Sequence, residues 1–112
     1  MATAYKVLGQ LNPSATTETT LYTAPSSTST VVSTLTICNQ TSSAATYRIA
    51  VVKSGGATSP AAALSWIIYG ATVAASDTTA LTLGITLATG DKIQVYASSA
   101  NLSFSAFGSE IA

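Results

Sequence analysis

Leu81, Leu83, Ile85 and Leu87 stand at every second position, with Thr82, Gly84 and Thr86 between them. A two-residue period puts all four apolar side chains on one face of a β-strand, whereas a helix would scatter them around its axis. The same period recurs along the chain. Tyr47, Ile49 and Val51 alternate with Arg48 and Ala50. Ile93, Val95 and Ala97 alternate with Lys92, Gln94 and Tyr96. Leu102, Phe104 and Ala106 alternate with Ser103, Ser105 and Phe107. Val31, Leu35 and Ile37 are expected on one face of a further strand, with Val32, Thr34, Thr36 and Cys38 on the other. Tyr5 to Gly9 and Thr20 to Thr23 add two weaker strands. The many threonines suit this reading, because a branched Cβ packs well on a pleated surface.

Turn residues separate the runs at short intervals: Asn12-Pro13-Ser14, Pro25-Ser26-Ser27, Asn39 to Ser43, Ser54-Gly55-Gly56, Ser76-Asp77 and Thr89-Gly90-Asp91. Gly90-Asp91, lying between Leu87 and Ile93, is expected to close a hairpin. No segment has the length and 3.6-residue period of a helix; Ala61-Ala62-Ala63 is short and follows Pro60. The fold expected is all-β: one antiparallel β-sandwich domain over residues 1–112, jelly-roll or immunoglobulin-like, with about eight strands. A chain of this length buries roughly 65% of its unfolded surface, enough for one continuous core.

The charge pattern narrows the partners. Charged residues make up 7% of the chain, against about 25% in an ordinary soluble domain. Serine, threonine and alanine together supply about half of the residues instead. The cations Lys6, Arg48, Lys53 and Lys92 are scattered and form no basic patch, so nucleic acid is not an expected partner. No apolar run approaches the ~18 residues of a membrane span, and the segment from Met1 to Lys6 lacks the character of a signal peptide. A membrane is therefore not expected as a partner, and synthesis in a cytoplasm is. A surface this poor in charge is weakly protected against association, so either an assembly covers much of it or the chain relies on its hydroxyls for solubility.

Enzymatic chemistry finds few candidates. Histidine is absent, and the carboxylates Glu18, Asp77, Asp91 and Glu110 are far apart in sequence. Asp77 and Asp91 fall at turns, where aspartate commonly bonds nearby backbone. The abundant serines lack a recognisable activating base, and no phosphate-binding loop is present. No catalytic, cofactor-binding or metal-ligating residue is assigned, and no cofactor is expected. Cys38 is the single cysteine, which excludes an intramolecular disulfide; it reads as a small apolar side chain in or near the core.

Leu64-Ser65-Trp66-Ile67-Ile68-Tyr69 departs from clean alternation, with large apolar groups at successive positions. A central strand covered on its outer face by the segment from Ser54 to Pro60 explains it, and so does a contact between subunits. Alternation places Trp66 with Leu64 and Ile68 in the core, where Trp66→Ala is expected to cost roughly 3–5 kcal/mol. Ile67 and Tyr69 are then the interface candidates. Ligand binding stays open beside assembly: loops at one end of the sandwich would read a glycan with Tyr22, Tyr69 or Tyr96 as an exposed ring, and core or interface packing explains these tyrosines equally well.

The order of several segments resembles a family of small β-rich virion structural proteins of tailed bacteriophages, including cyanophage-like capsid decoration, or cement, proteins. The segments are Ala4-Tyr5-Lys6-Val7-Leu8-Gly9-Gln10, Leu21-Tyr22-Thr23-Ala24-Pro25, the run from Val31 to Asn39, and Tyr47-Arg48-Ile49-Ala50-Val51. The run from Asp77 to Ile85, Gly90-Asp91-Lys92-Ile93 and the run from Phe104 to Ile111 follow in the same order. The segment from Ala61 to Trp66 departs from that pattern. The resemblance implies a virion component, assembled in the host cytoplasm, rather than an enzyme. Its implied role is capsid decoration as a homotrimer bound to the major capsid protein or another virion protein. The alternative is a tail, neck or fibre module that binds a host-surface glycan. The resemblance carries over no site residue.

Overall fold

The computed structural model describes residues 3–58 and 61–112. It contains eight strands: β1 (Thr3–Leu11), β2 (Thr19–Thr23), β3 (Ser29–Asn39), β4 (Ala45–Val52), β5 (Trp66–Val73), β6 (Thr78–Leu87), β7 (Lys92–Ala97) and β8 (Leu102–Ile111). A 3-10 turn, Ala63–Ser65, precedes β5. The strands form two four-stranded sheets, ordered β1-β8-β3-β6 and β2-β7-β4-β5, and every pairing is antiparallel.

The pairing has a simple logic. The first strand pairs with the eighth, the second with the seventh, the third with the sixth and the fourth with the fifth. The chain is thus one long hairpin whose tip is the β4–β5 connection, rolled so that its strands alternate between two facing sheets. This is the double Greek key of a jelly roll, and it decides between the two sandwich types the sequence allowed. It also corrects the expected hairpin at Gly90-Asp91. The Asp91 amide does bond the Ala88 carbonyl in a tight turn, but β6 and β7 belong to different sheets. The turn carries the chain across the sandwich.

The core lies between the sheets. Leu35, Ile37, Ile49, Ile93, Val95, Leu102 and Phe104 are each almost fully buried there, and Tyr47 meets Phe104 edge to face with centroids 6.4 Å apart. The alternation in β4, β7 and β8 predicts these positions directly. In β3 it fails at one point. Thr30 and Val32 point inward, and so do Leu35, Ile37 and Asn39, because the register shifts between Val32 and Thr34 on both neighbouring strands. Against β8, Ser33 is the extra residue of a β-bulge, and such a residue flips the phase of everything beyond it. Against β6 the extra residue lies on β6 itself, at Leu83–Gly84, so Leu83 is 42% exposed and does not join Leu81, Ile85 and Leu87 on the core face as its spacing predicts. Val32, not Val31, therefore shares the core with Leu35 and Ile37. Cys38 stands on the outer face of β3, half-buried and free.

The largest departures concern β5. It is an edge strand, not a central one. Its pairing with β4 slips twice, between Ile49 and Ala50 and between Tyr47 and Arg48. Ile67 and Gly70 are the residues left over, and Gly70 takes the left-handed φ of +83° that its bulge requires. Trp66 consequently faces outward opposite Ala50, Ile68 faces the core opposite Ile49, and Tyr69 faces outward opposite Arg48. Trp66 is therefore not a residue of the main core, and Leu64 is 90% exposed. The outer face of β4 is nevertheless covered. Ala50 and Val52 form a second small buried cluster with Ala61, and Trp66 packs against it. Of the segment expected to supply this cover, Ser59 and Pro60 lie outside the described residues.

Candidate binding groove on the outer face of a sheet

Two rows of side chains run across the outer face of the β2-β7-β4-β5 sheet. In the first, Thr20, Gln94, Ala50 and Trp66 stand opposite one another on the four strands. In the second, Tyr96, Arg48 and Tyr69 are neighbours on β7, β4 and β5. Directly opposed side chains on one face interact. Here the Arg48 guanidinium carbon lies 4.1 Å from the ring centroids of both Tyr69 and Tyr96, one ring from each neighbouring strand. Trp66 meets Tyr69 edge to face at 5.5 Å. Ala50, the small residue of the first row, leaves room for Ala61 and the indole.

A hydrogen-bonded network fixes the wall of this surface. Glu18 accepts the Ala61 amide on Oε1 at 3.0 Å and the Gln94 side-chain amide on Oε2 at 3.0 Å. Gln94, itself buried, also donates to the Thr58 carbonyl at 3.1 Å and accepts from the Thr20 hydroxyl. The β4–β5 connection is thereby strapped to the sheet by one carboxylate and one carboxamide. Burying an amide without partners is costly, so the saturation of Gln94 holds the strap in a single place.

The result is an open groove of about 750 Å3 lined by Thr16, Glu18, Arg48, Trp66, Tyr69 and Tyr96, with Ala61 and Ala63. It is aromatic along one side and carries one cation and one anion. Among the described residues the ion pair present is Lys6–Glu110, so Arg48 has no carboxylate within ion-pair distance there. The groove lies on a sheet face, not in the loops at one end of the sandwich where a ligand site was expected.

Of the sequence-derived candidates, Tyr69 lines the groove and is 64% exposed, while Ile67 sits at the neighbouring bulge and is 47% exposed. Tyr96 lines the groove as well. Tyr22 does not serve as an exposed ring: it is buried between the sheets, donating to Glu110 at 2.5 Å with the Thr30 hydroxyl 2.8 Å away. Burial and the Glu110 carboxylate push the Tyr22 hydroxyl up to about 12. Asp77 and Asp91 are turn residues, as their positions predict. Asp77 accepts the Thr78 amide, and Asp91 accepts the amides of Ala88 and Ser54. Sequence reasoning missed Glu18, Gln94 and Arg48 as parts of one site. The outward parity of Arg48, Gln94 and Tyr96 was visible, but their adjacency depends on strand order.

No protein-family model matches the chain, and no curated protein matches it either. Among solved structures, a chain of infectious bursal disease virus, Gx strain, is similar with a TM-score of 0.53 and 14% identity, over 97% of this chain and 31% of that one. A chain of the Gt strain is similar with a TM-score of 0.40 and 14% identity, over 96% of this chain and 31% of that one. This chain therefore spans about a third of the length of the viral chains it resembles. At that identity, the Gx likeness shows the fold.

Proposed function

We propose that this chain is a structural protein of a virus particle, and within that class a bacteriophage capsid decoration protein. It acts as a homotrimer that binds the major capsid protein or another virion protein. The observation that carries the reading is the eight-strand jelly roll itself, which superposes over nearly its whole length on part of a chain from a virus structure. The segment order resembling phage virion proteins supports the same class.

The surface chemistry fits attachment. Few charges need to be desolvated when hydroxyl-rich faces meet, and rotational symmetry lets one small contact be used repeatedly. Ile67 and Tyr69 are exposed on an edge strand, where a contact between copies is geometrically accessible. An enzymatic role has little support. Each carboxylate is engaged structurally: Glu18 in the strap, Asp77 and Asp91 in turns, and Glu110 with Lys6 and Tyr22.

Cryo-electron microscopy of the intact particle tests the assignment. Density for this chain on the capsid surface at three-fold or quasi-three-fold positions is expected, and density confined to the tail overturns the capsid role. Light scattering coupled to size exclusion is expected to give the mass of a trimer.

A second reading, a tail, neck or fibre module that binds a host-surface glycan, is favoured by the groove. Its exposed aromatic side lies beside polar groups on a rigid sheet.

A further inference from the structure

The geometry points to a saccharide bearing a carboxylate, such as a uronic-acid oligomer, as the ligand of the groove on the β2-β7-β4-β5 sheet; this inference rests on the glycan-binding reading. The groove has the size of a small-ligand site and the usual composition of one, mostly apolar and aromatic walls with a few fixed polar groups. A contact with another folded protein would instead use a broader surface.

Arg48 sets the charge of the ligand. With a tyrosine ring on each flank, the guanidinium is held in orientation and its N–H edge remains the direction from which an acceptor approaches. That planar fork matches the two oxygens of a carboxylate. Among the described residues no carboxylate occupies this position.

Glu18 sets the rest of the ligand. Its two oxygens are fixed by the Ala61 amide and by Gln94, and it lines the same groove as Arg48. An anionic acceptor favours hydroxyl donors and repels a second carboxylate. The groove therefore has a group for an acid and a group for hydroxyls, and the rings of Trp66 and Tyr69 line it beside them. A sugar acid carries both kinds of group on one ring, together with an apolar C–H face suited to the negative face of an aromatic ring. An acidic peptide brings repeated anions and few hydroxyls, so it matches the Arg48 end alone.

Trp66 is the single tryptophan, so its emission reads the groove directly. The test titrates the whole chain with trigalacturonate, with the carboxyl-reduced form of that trisaccharide, and with triglutamate. Trigalacturonate is expected to change Trp66 emission saturably. Carboxyl reduction of the sugar, or Arg48→Gln in the protein, is expected to weaken binding roughly tenfold or more, with Arg48→Lys in between. Equal binding of the reduced sugar overturns the acidic ligand and leaves the glycan reading standing. Tighter binding of triglutamate overturns the saccharide. Silence toward both sugars overturns this inference, and silence across a glycan array as well overturns the glycan reading. If Arg48→Gln does not fold, the two sugars on the unaltered chain decide the question.

Discussion

The indole of Trp66 and the ring of Tyr69 meet edge to face, 5.5 Å apart and 82° between planes, although a spacing of three along a strand should put them on opposite faces. The bulge at Ile67 reconciles the two facts. It adds one residue to β5, so Trp66 and Tyr69 both face outward while Ile68 faces the core. One extra residue thus builds the aromatic side of the groove.

Trp66 lies half-buried over Ala50, Val52 and Ala61, so removing it uncovers the outer face without opening the main core. Trp66→Ala is expected to cost about 1–2 kcal/mol, less than a core position would. Phe104→Ala, at the centre of the sandwich, is expected to cost about 3–5 kcal/mol. Urea unfolding of both variants checks the order, and equal losses would return Trp66 to the core.

Gly108 and Gly70 should respond differently to alanine. A Cβ at Gly108 would lie 2.0 Å from the Val31 carbonyl oxygen, which is backbone in the adjacent strand. Gly108→Ala is therefore expected to cost more than about 3 kcal/mol, above the ordinary range for overpacking. A Cβ at Gly70 meets nothing within 4 Å, so the φ of +83° is its main obstacle. Gly70→Ala is expected to cost about 1–2 kcal/mol. Thermal unfolding midpoints separate the two.

The contact between Tyr22 and Glu110 ties the two sheets together and should shape the pH profile. Lys6 and Tyr22 hold the Glu110 carboxyl below its ordinary 4.5. A carboxyl depressed by folding stabilises the fold above its unfolded value, and that contribution is lost as pH falls through the lower folded value. Tyr22 behaves in the opposite sense. Its rise from 10.0 to about 12 stabilises the fold below pH 10, and the contribution is lost between those two values. Burial raises Tyr47 as well and adds to the alkaline loss. Denaturant midpoints measured across pH should show Glu110→Gln flattening the acid limb and Tyr22→Phe flattening part of the alkaline limb.

Glu18→Ala removes the acceptor for the Ala61 amide and for Gln94. The buried Gln94 amide then loses one of its two acceptors, at a cost of about 1–3 kcal/mol. The β4–β5 connection should loosen locally, so proteolysis near Gly55-Gly56 is expected to quicken more than global unfolding does. Unchanged cleavage there would show that the strap does not depend on Glu18.

The proposed trimer contact gives a final test. Ile67→Lys places a charge at an exposed bulge of the edge strand. It is expected to reduce the mass seen by light scattering to that of a monomer, with stability within about 0.5 kcal/mol of the unaltered chain. A trimer of unchanged mass would remove Ile67 from the contact.

The strands of this protein are legible in its sequence. The alternations at Tyr47–Ile49, Ile93–Val95 and Leu102–Phe104 name core residues correctly, because burial of one sheet face is a local consequence of a two-residue period. The turn roles of Asp77 and Asp91 are equally local. Tertiary structure alone decided the rest. Whether Gly90-Asp91 closes a hairpin or crosses the sandwich depends on which strands pair, and antiparallel pairing is equally available to many partners. The bulges at Ser33 and Ile67 depend on mismatched register with neighbours distant in sequence, and each reverses the facing of the residues beyond it. The groove needs both decisions at once. Arg48, Tyr69 and Tyr96 become neighbours only when β4 lies between β5 and β7, and Trp66 joins them only because its strand carries one extra residue, Ile67, between it and Tyr69.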